Sequence, residues 1–218
     1  MIPKRVFQNH HIKPNQILLI GGLLFLLFIS LFSGLAFGSY SVPILDILAG
    51  KLEPLQKTVL TQIRAPRVIL AGFVGASLAL SGASLQGLFR NPLADPGLIG
   101  VSAGAALGAT SIIVLSNHFI PEFLAGPFLL PVAAIGGASL VIVLLFVLTR
   151  GFKTKGTTYM LLIGIAINSL AGVCIGFLTY ISSDAELRSL TFWTMGSFGG
   201  VSWPLLAPAI IMIAFFLV

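Results

Sequence analysis

The run Gly151-Phe-Lys-Thr-Lys-Gly156-Thr157-Thr158 has the glycine spacing of a loop that cradles phosphate. Thr157 stands where such a loop needs its lysine and no strand precedes the run, so the match is by chance. His10 and His11 adjoin in a basic tail and His118 stands alone, with no third ligand at metal spacing; solvated histidines are expected and no metal or cofactor is assigned to this chain. Cys174 is the single cysteine, which excludes an intramolecular disulfide and reads as a small apolar residue. No triad, paired catalytic carboxylates or nucleic-acid module can be assembled. The expectation is a protein that is not an enzyme and has no nucleic-acid partner.

The elements that carry these residues are set by composition. The 218 residues are 57% hydrophobic and 8% charged, with a formal net charge of +6 and a mean hydropathy of +1.07. A soluble domain carries about 25% charged residues, so this chain belongs in a membrane. Its charges cluster and leave six charge-free spans, at 14–45, 68–89, 96–121, 123–149, 156–183 and 189–218. A spanning helix needs about 20 apolar residues, whereas a barrel strand would alternate over about 10. The fold class is therefore all-α, a polytopic transmembrane helix bundle. The expected division is a cytoplasmic tail at 1–16 and a transmembrane domain at 17–218, with helices at about 17–38, 67–89, 98–117, 128–149, 158–181 and 204–218. The last is short for a span, so the chain is expected to be the N-terminal part of a longer protein. The first exceeds a signal-peptide core of about 7 to 15 residues and is kept as a spanning helix.

With the N-terminus in the cytoplasm, the inside segments hold Lys4, Arg5, Lys13, Arg90, Arg150, Lys153 and Lys155, against Lys51, Lys57, Arg64, Arg67 and Arg188 outside. The compact run Arg150 to Lys155 is the strongest local vote for this orientation. Basic residues between the first two helices run against the trend, which gives some of them another task.

Small residues let helix backbones approach in lipid, and they recur as Ala71, Gly75, Ala79 and Ala83, as Gly100, Gly104 and Gly108, and as Gly164, Asn168, Gly172 and Gly176. No ionisable residue lies at mid-membrane depth, where coupled carriers keep such groups. Gln86 and Asn168 are the main polar exceptions, read as interhelical hydrogen-bonding groups ahead of substrate contacts.

Arg64-Ala-Pro-Arg67, Ala79-Leu-Ser81-Gly82-Ala-Ser-Leu-Gln86, Arg90-Asn91-Pro92-Leu93-Ala94-Asp95-Pro96-Gly97, Gly100-Val-Ser-Ala-Gly104, Leu162-Ile-Gly164 and Phe192-Trp193-Thr-Met-Gly196 through Trp203 follow one another in order. Together they resemble the permease family of bacterial ABC importers for ferric siderophores, haem and cobalamin. The resemblance covers about residues 60–205 and implies ten helices per subunit, of which this chain supplies five and part of the sixth.

It also implies roles. Arg64 and Arg67 match outward-facing arginines that pair with glutamates of a periplasmic substrate-binding protein; the alternative is interfacial arginines that snorkel. Asn91 and Leu93, with Thr157 and Thr158, match positions that close the cytoplasmic end of the pathway, although the threonines equally suit a helix cap. Gly164, Asn168, Gly172 and Gly176 match the pathway-lining face. Ser182–Trp193 resembles a short outer helix whose Trp is first an interfacial anchor.

The function so implied is the inner-membrane permease subunit of an ATP-driven importer of an iron chelate, haem ahead of siderophores. Its partners would be an ATP-binding cassette subunit that hydrolyses ATP, the periplasmic binding protein and a second permease copy. A cobalamin permease of the same family is the alternative, and a secondary carrier the alternative of a different class.

Overall fold

The computed structural model describes residues 13–40, 42–119, 121, 126–150 and 156–217, and among these the secondary structure is helical throughout. Helix α1 (Pro14–Ala36) begins on a proline, which needs no hydrogen-bond partner at that position, and the Lys13 amide donates to Gln16 Oε1 at 2.9 Å. Helix α2 (Ile44–Ala49) stops at Gly50, whose φ of 66° is left-handed. Helix α3 (Pro54–Thr58) passes through a π-helical turn, Val59–Arg64, into α4 (Ala65–Phe89). The second long helix thus begins at Pro54, where the charge pattern places its start at about 67. Two further charges, Lys57 and Arg64, thus lie on a helix that apolar counting would begin only at Arg67.

A 3₁₀ turn, Pro96–Ile99, leads into α5 (Val101–Phe119), followed by α6 (Leu129–Thr149), α7 (Gly156–Ile181), α8 (Asp184–Met195) and α9 (Trp203–Leu217). Helix α8 falls where the short outer helix is expected. Its Ser183 amide donates to Glu186 Oε2 at 2.8 Å, a capping box that fixes its start. Among the described residues, four helical runs are long and apolar enough to cross a membrane: Pro14–Ala36, Pro54–Phe89, Leu129–Thr149 and Thr158–Ile181. Val101–Ser116 and Trp203–Phe215 are shorter apolar helices.

The chain packs as two compact units. One gathers residues up to Val74 with Phe198–Phe216, and the other holds Gly75–Ser197. In the second unit α5 is central and packs on α6, α7 and α8. Ile99, Val141 and Leu145 form one buried cluster with Ile163 and Ile167 against it; Val114, Leu178 and Leu190 form another. The α5 to α6 crossing is backbone on backbone. A Cβ at Gly104 would stand 2.6 Å from the Gly137 carbonyl oxygen, and one at Gly108 or Gly137 would fall on the carbonyls of Ala133 or Gly104. Gly104 and Gly108 therefore pack as their spacing suggests, on Ala133 and Gly137 of α6, which the row does not itself reveal, whereas Gly100, just before α5, faces Gly164 and Ile167 of α7. The α4 row behaves differently. Ala71, Gly75, Ala79 and Ala83 are exposed, and a Cβ at Gly75 would meet nothing within 4 Å.

Candidate functional site

Arg64 ends the π-helical turn, and its side chain turns inward. It is 7% exposed. Nη1 donates to the carbonyls of Leu35 at 2.9 Å and Ala36 at 2.8 Å, and Nη2 donates to that of Tyr40. Leu35 and Ala36 are the last residues of α1, where carbonyls have no partner within the helix and the helix dipole favours a cation. A planar guanidinium with several fixed donors suits such a cluster better than an ammonium would. Gly38 makes room for it: a Cβ there would lie 2.6 Å from Nη2 and 3.0 Å from Cζ.

Arg67, one turn on, is partly exposed. Its Nη2 donates to the Gly199 carbonyl at 2.6 Å, while its buried Nε has no hydrogen-bond partner among the described residues. Trp203, at the start of α9, donates from Nε1 to the Thr61 carbonyl at 2.9 Å. These two bonds tie the approach to α9 to the π turn and the start of α4. Both arginines border a cavity of about 340 Å³ with Phe37, Tyr40, Ile63 and Val68, and its lining among the described residues includes no carboxylate.

The expectation of two outward-facing docking arginines thus meets two different placements. Arg64 has its donors on its own chain's carbonyls, because an unsatisfied helix end lies within its reach. Arg67 is the one that reaches the surface.

The second candidate region is the turn after α4. Arg90 adopts a left-handed φ of 49°, and the Asn91 amide donates back to the Gln86 carbonyl at 3.2 Å, which closes the helix end. Asn91 Oδ1 accepts from the Leu93 amide at 2.9 Å, and Asp95 Oδ1 accepts from the Gly97 amide at 2.5 Å. Two such side-chain turns give the segment a fixed shape. Leu93 is left at its tip, 82% exposed. Thr158 is exposed at the start of α7. The Thr157 side chain and residues 151–155 lie outside the described residues, as do His10 and His11.

On α7 the four residues of the expected pathway face divide. Gly164 is buried, and a Cβ there would lie 2.5 Å from the Leu98 carbonyl oxygen and 2.8 Å from Ile99 Cα. Asn168 Nδ2 donates to the Gly97 carbonyl at 2.9 Å, the hydrogen-bonding role its polarity suggests. Gly172 and Gly176 are exposed, and a Cβ at either meets nothing within 4 Å. Residues four apart drift by about 40° per step on a helix of 3.6 residues per turn, so this row cannot hold one face. Two of the four pack and two stay open.

Among the described residues no group of three His, Cys, Asp or Glu is gathered where it could hold a metal. The partners of Arg64 were beyond sequence reading. The signal available was Gly38, a glycine just past the end of an apolar span.

The profile of the FecCD transport family matches residues 23–218. The hemin transport system permease protein HmuU of Yersinia pestis is 39% identical over 201 residues, covering 92% of this chain and 59% of that protein. The vitamin B12 import system permease protein BtuC of Klebsiella pneumoniae is 37% identical over 182 residues, covering 84% of this chain and 52% of its own length. A solved structure of an inward-facing conformation of a metal-chelate type ABC transporter superposes with a TM-score of 0.75 at 34% identity, covering 91% of this chain and 59% of that one. The chain therefore spans between half and two thirds of the relatives it matches. With residues 23–218 matched, the chain belongs to the FecCD transport family.

Proposed function

We propose that the chain acts as part of the membrane-spanning permease of an ATP-driven importer for an iron chelate, in the bacterial inner membrane, with its N-terminus in the cytoplasm. The observation that carries this reading is the family match over residues 23–218, joined, among the described residues, to four helical runs apolar and long enough to cross a membrane. In this reading the energy comes from a partner, an ATP-binding cassette subunit, with a periplasmic binding protein delivering the cargo and a second permease copy completing the path.

Haem is the preferred cargo because the hemin permease relative matches the larger share of this chain. Ferric siderophores come next and cobalamin third, the last supported by the B12 permease relative. The reading is tested by uptake that depends on ATP and on the binding protein. Accumulation that persists without either would refute it.

On this reading Arg67 belongs to the outer rim that meets the binding protein, with Arg64 shaping the rim from inside. Asn91 and Leu93, with Thr157 and Thr158, belong to the cytoplasmic gate. Gly172 and Gly176 leave width along α7. For the orientation, cysteines placed at Lys153 and Glu53 in a Cys174→Ala background are expected to label from opposite sides of the membrane. Labelling of Lys153→Cys from outside intact cells would invert the topology.

A further inference from the structure

The turn between α4 and α5 and the helix α7 are joined by backbone, with one side chain as the tie. At Gly164 the α7 backbone meets that of Leu98 and Ile99 without room for a Cβ. At Gly100, where φ is 88°, an added Cβ would in turn meet Ile167 Cγ2 at 3.2 Å and the Gly164 carbonyl at 3.3 Å. Ile99 is 6% exposed and packs in the cluster that includes Ile163 and Ile167. One turn beyond Gly164, Asn168 Nδ2 reaches the Gly97 carbonyl across 71 positions of sequence. That carbonyl also accepts from the Gly100 amide at 3.3 Å, so a single oxygen closes the 3₁₀ turn and receives the helix.

We infer that Asn168 is a positioning residue that holds the Asn91–Gly97 turn in register with the N-terminal turn of α7, so that the two segments move as one piece. This rests on the reading of Asn91 and Leu93 with Thr157 and Thr158 as the two halves of one gate. Asn168 is one of the few side chains on an apolar helix able to reach a backbone carbonyl of another segment. An apolar contact at the same place would resist separation but permit sliding, whereas a hydrogen bond to one named oxygen fixes the register. The seat at Gly164 and the tie at Asn168 together make two points of attachment, which suppresses rotation of the turn on the helix. A residue whose only task was to line the pathway would leave the turn unaffected when changed.

The test uses the whole transporter with Asn168→Leu and Asn168→Asp, the first of the same branched shape without the donor and the second with a carboxylate facing a carbonyl. Backbone amide exchange at Gly97, Leu98 and Gly100 is expected to accelerate about tenfold in both variants, the size of one lost hydrogen bond to a partly buried carbonyl. Exchange within α6 is expected to stay unchanged. Unchanged exchange at the turn would overturn the inference.

The coupling is read separately with Leu93→Cys and Thr158→Cys in a Cys174→Ala background, from maleimide labelling rates with and without bound nucleotide. With Asn168 present the two rates are expected to change together. In Asn168→Leu the change at Thr158→Cys is expected to persist while that at Leu93→Cys falls at least threefold behind. If the two rates keep step in Asn168→Leu, the inference of coupled movement is overturned while the gate stands. If neither position responds to nucleotide with Asn168 present but turn exchange still accelerates in the variants, the gate reading fails and the positioning of the turn by Asn168 stands.

Discussion

Arg64→Met is expected to destabilise the membrane-inserted protein by about 3 kcal/mol, because it strips three carbonyls of the donor that satisfies them in a buried site. Each bond to a charged group contributes about 1.5 to 3 kcal/mol, less what water and lipid headgroups return. The attraction between a cation and the end of α1 adds up to about 2 kcal/mol in a partly buried setting. Arg64→Lys keeps the charge and is expected to recover less than half of the loss, since one ammonium cannot spread over Leu35, Ala36 and Tyr40 as the planar group does. Arg67→Met, with one bond at the surface, is expected to lose about 1 kcal/mol.

Gly38→Ala supplies the cross-check. Its new Cβ would stand 2.6 Å from Arg64 Nη2, so the single variant should displace the guanidinium and lose part of what Arg64→Met loses. Combined with Arg64→Met it should add almost nothing, and a double-mutant cycle reads that coupling directly. Thermal unfolding in detergent measures all five variants. Additive effects, or Arg64→Met no worse than Arg67→Met, would return Arg64 to the surface role suggested by family likeness. The same contrast bears on docking: Arg67→Glu should weaken binding-protein affinity in a salt-dependent way, while Arg64→Gln should act first on stability.

Gly137→Val is expected to be the most damaging change at the α5 to α6 crossing, and Gly108→Val nearly as damaging. At both positions a Cβ falls on backbone of the neighbouring helix, and backbone has no rotamer to yield with. The helices must separate, which forfeits close van der Waals and Cα–H···O contacts along the crossing as well as adding strain. A loss of about 3 kcal/mol or more follows, seen as poor accumulation in the membrane and a lowered unfolding temperature. Gly136→Ala, one residue away with nothing within 4 Å of its Cβ position, is expected to be neutral or stabilising by up to about 1 kcal/mol through helix propensity. If Gly136→Ala and Gly137→Val behaved alike, the crossing would not lie at Gly137.

The sequence made the helices legible because lipid demands long apolar runs, and charges such as Lys13, Arg90 and Lys155 mark their limits. It made the packing pair Gly104 and Gly108 on α5 legible by spacing. It left the partner at Gly137 unread, since a row on one helix does not name the helix it meets. The π turn at Val59–Arg64 was equally hidden, as its residues favour an ordinary helix just as well. Arg64 is the clearest case of partial legibility: a basic residue out of place on the outer side signals a task, but its acceptors lie 24 to 29 positions away as backbone carbonyls that carry no residue-type signature. Asn168 was legible as a hydrogen-bonding group, and its target, the Gly97 carbonyl, was not, for the same reason.

The most direct test of the importer reading is accumulation of haem in proteoliposomes that carry the whole transporter, with ATP sealed inside and haem-loaded binding protein outside. Ferric siderophore and cobalamin, each on its own binding protein, run beside it. The account predicts accumulation against a gradient only when ATP, the ATP-binding cassette subunit and the binding protein are all present. Accumulation by this chain alone, with no ATP and no binding protein, would contradict it.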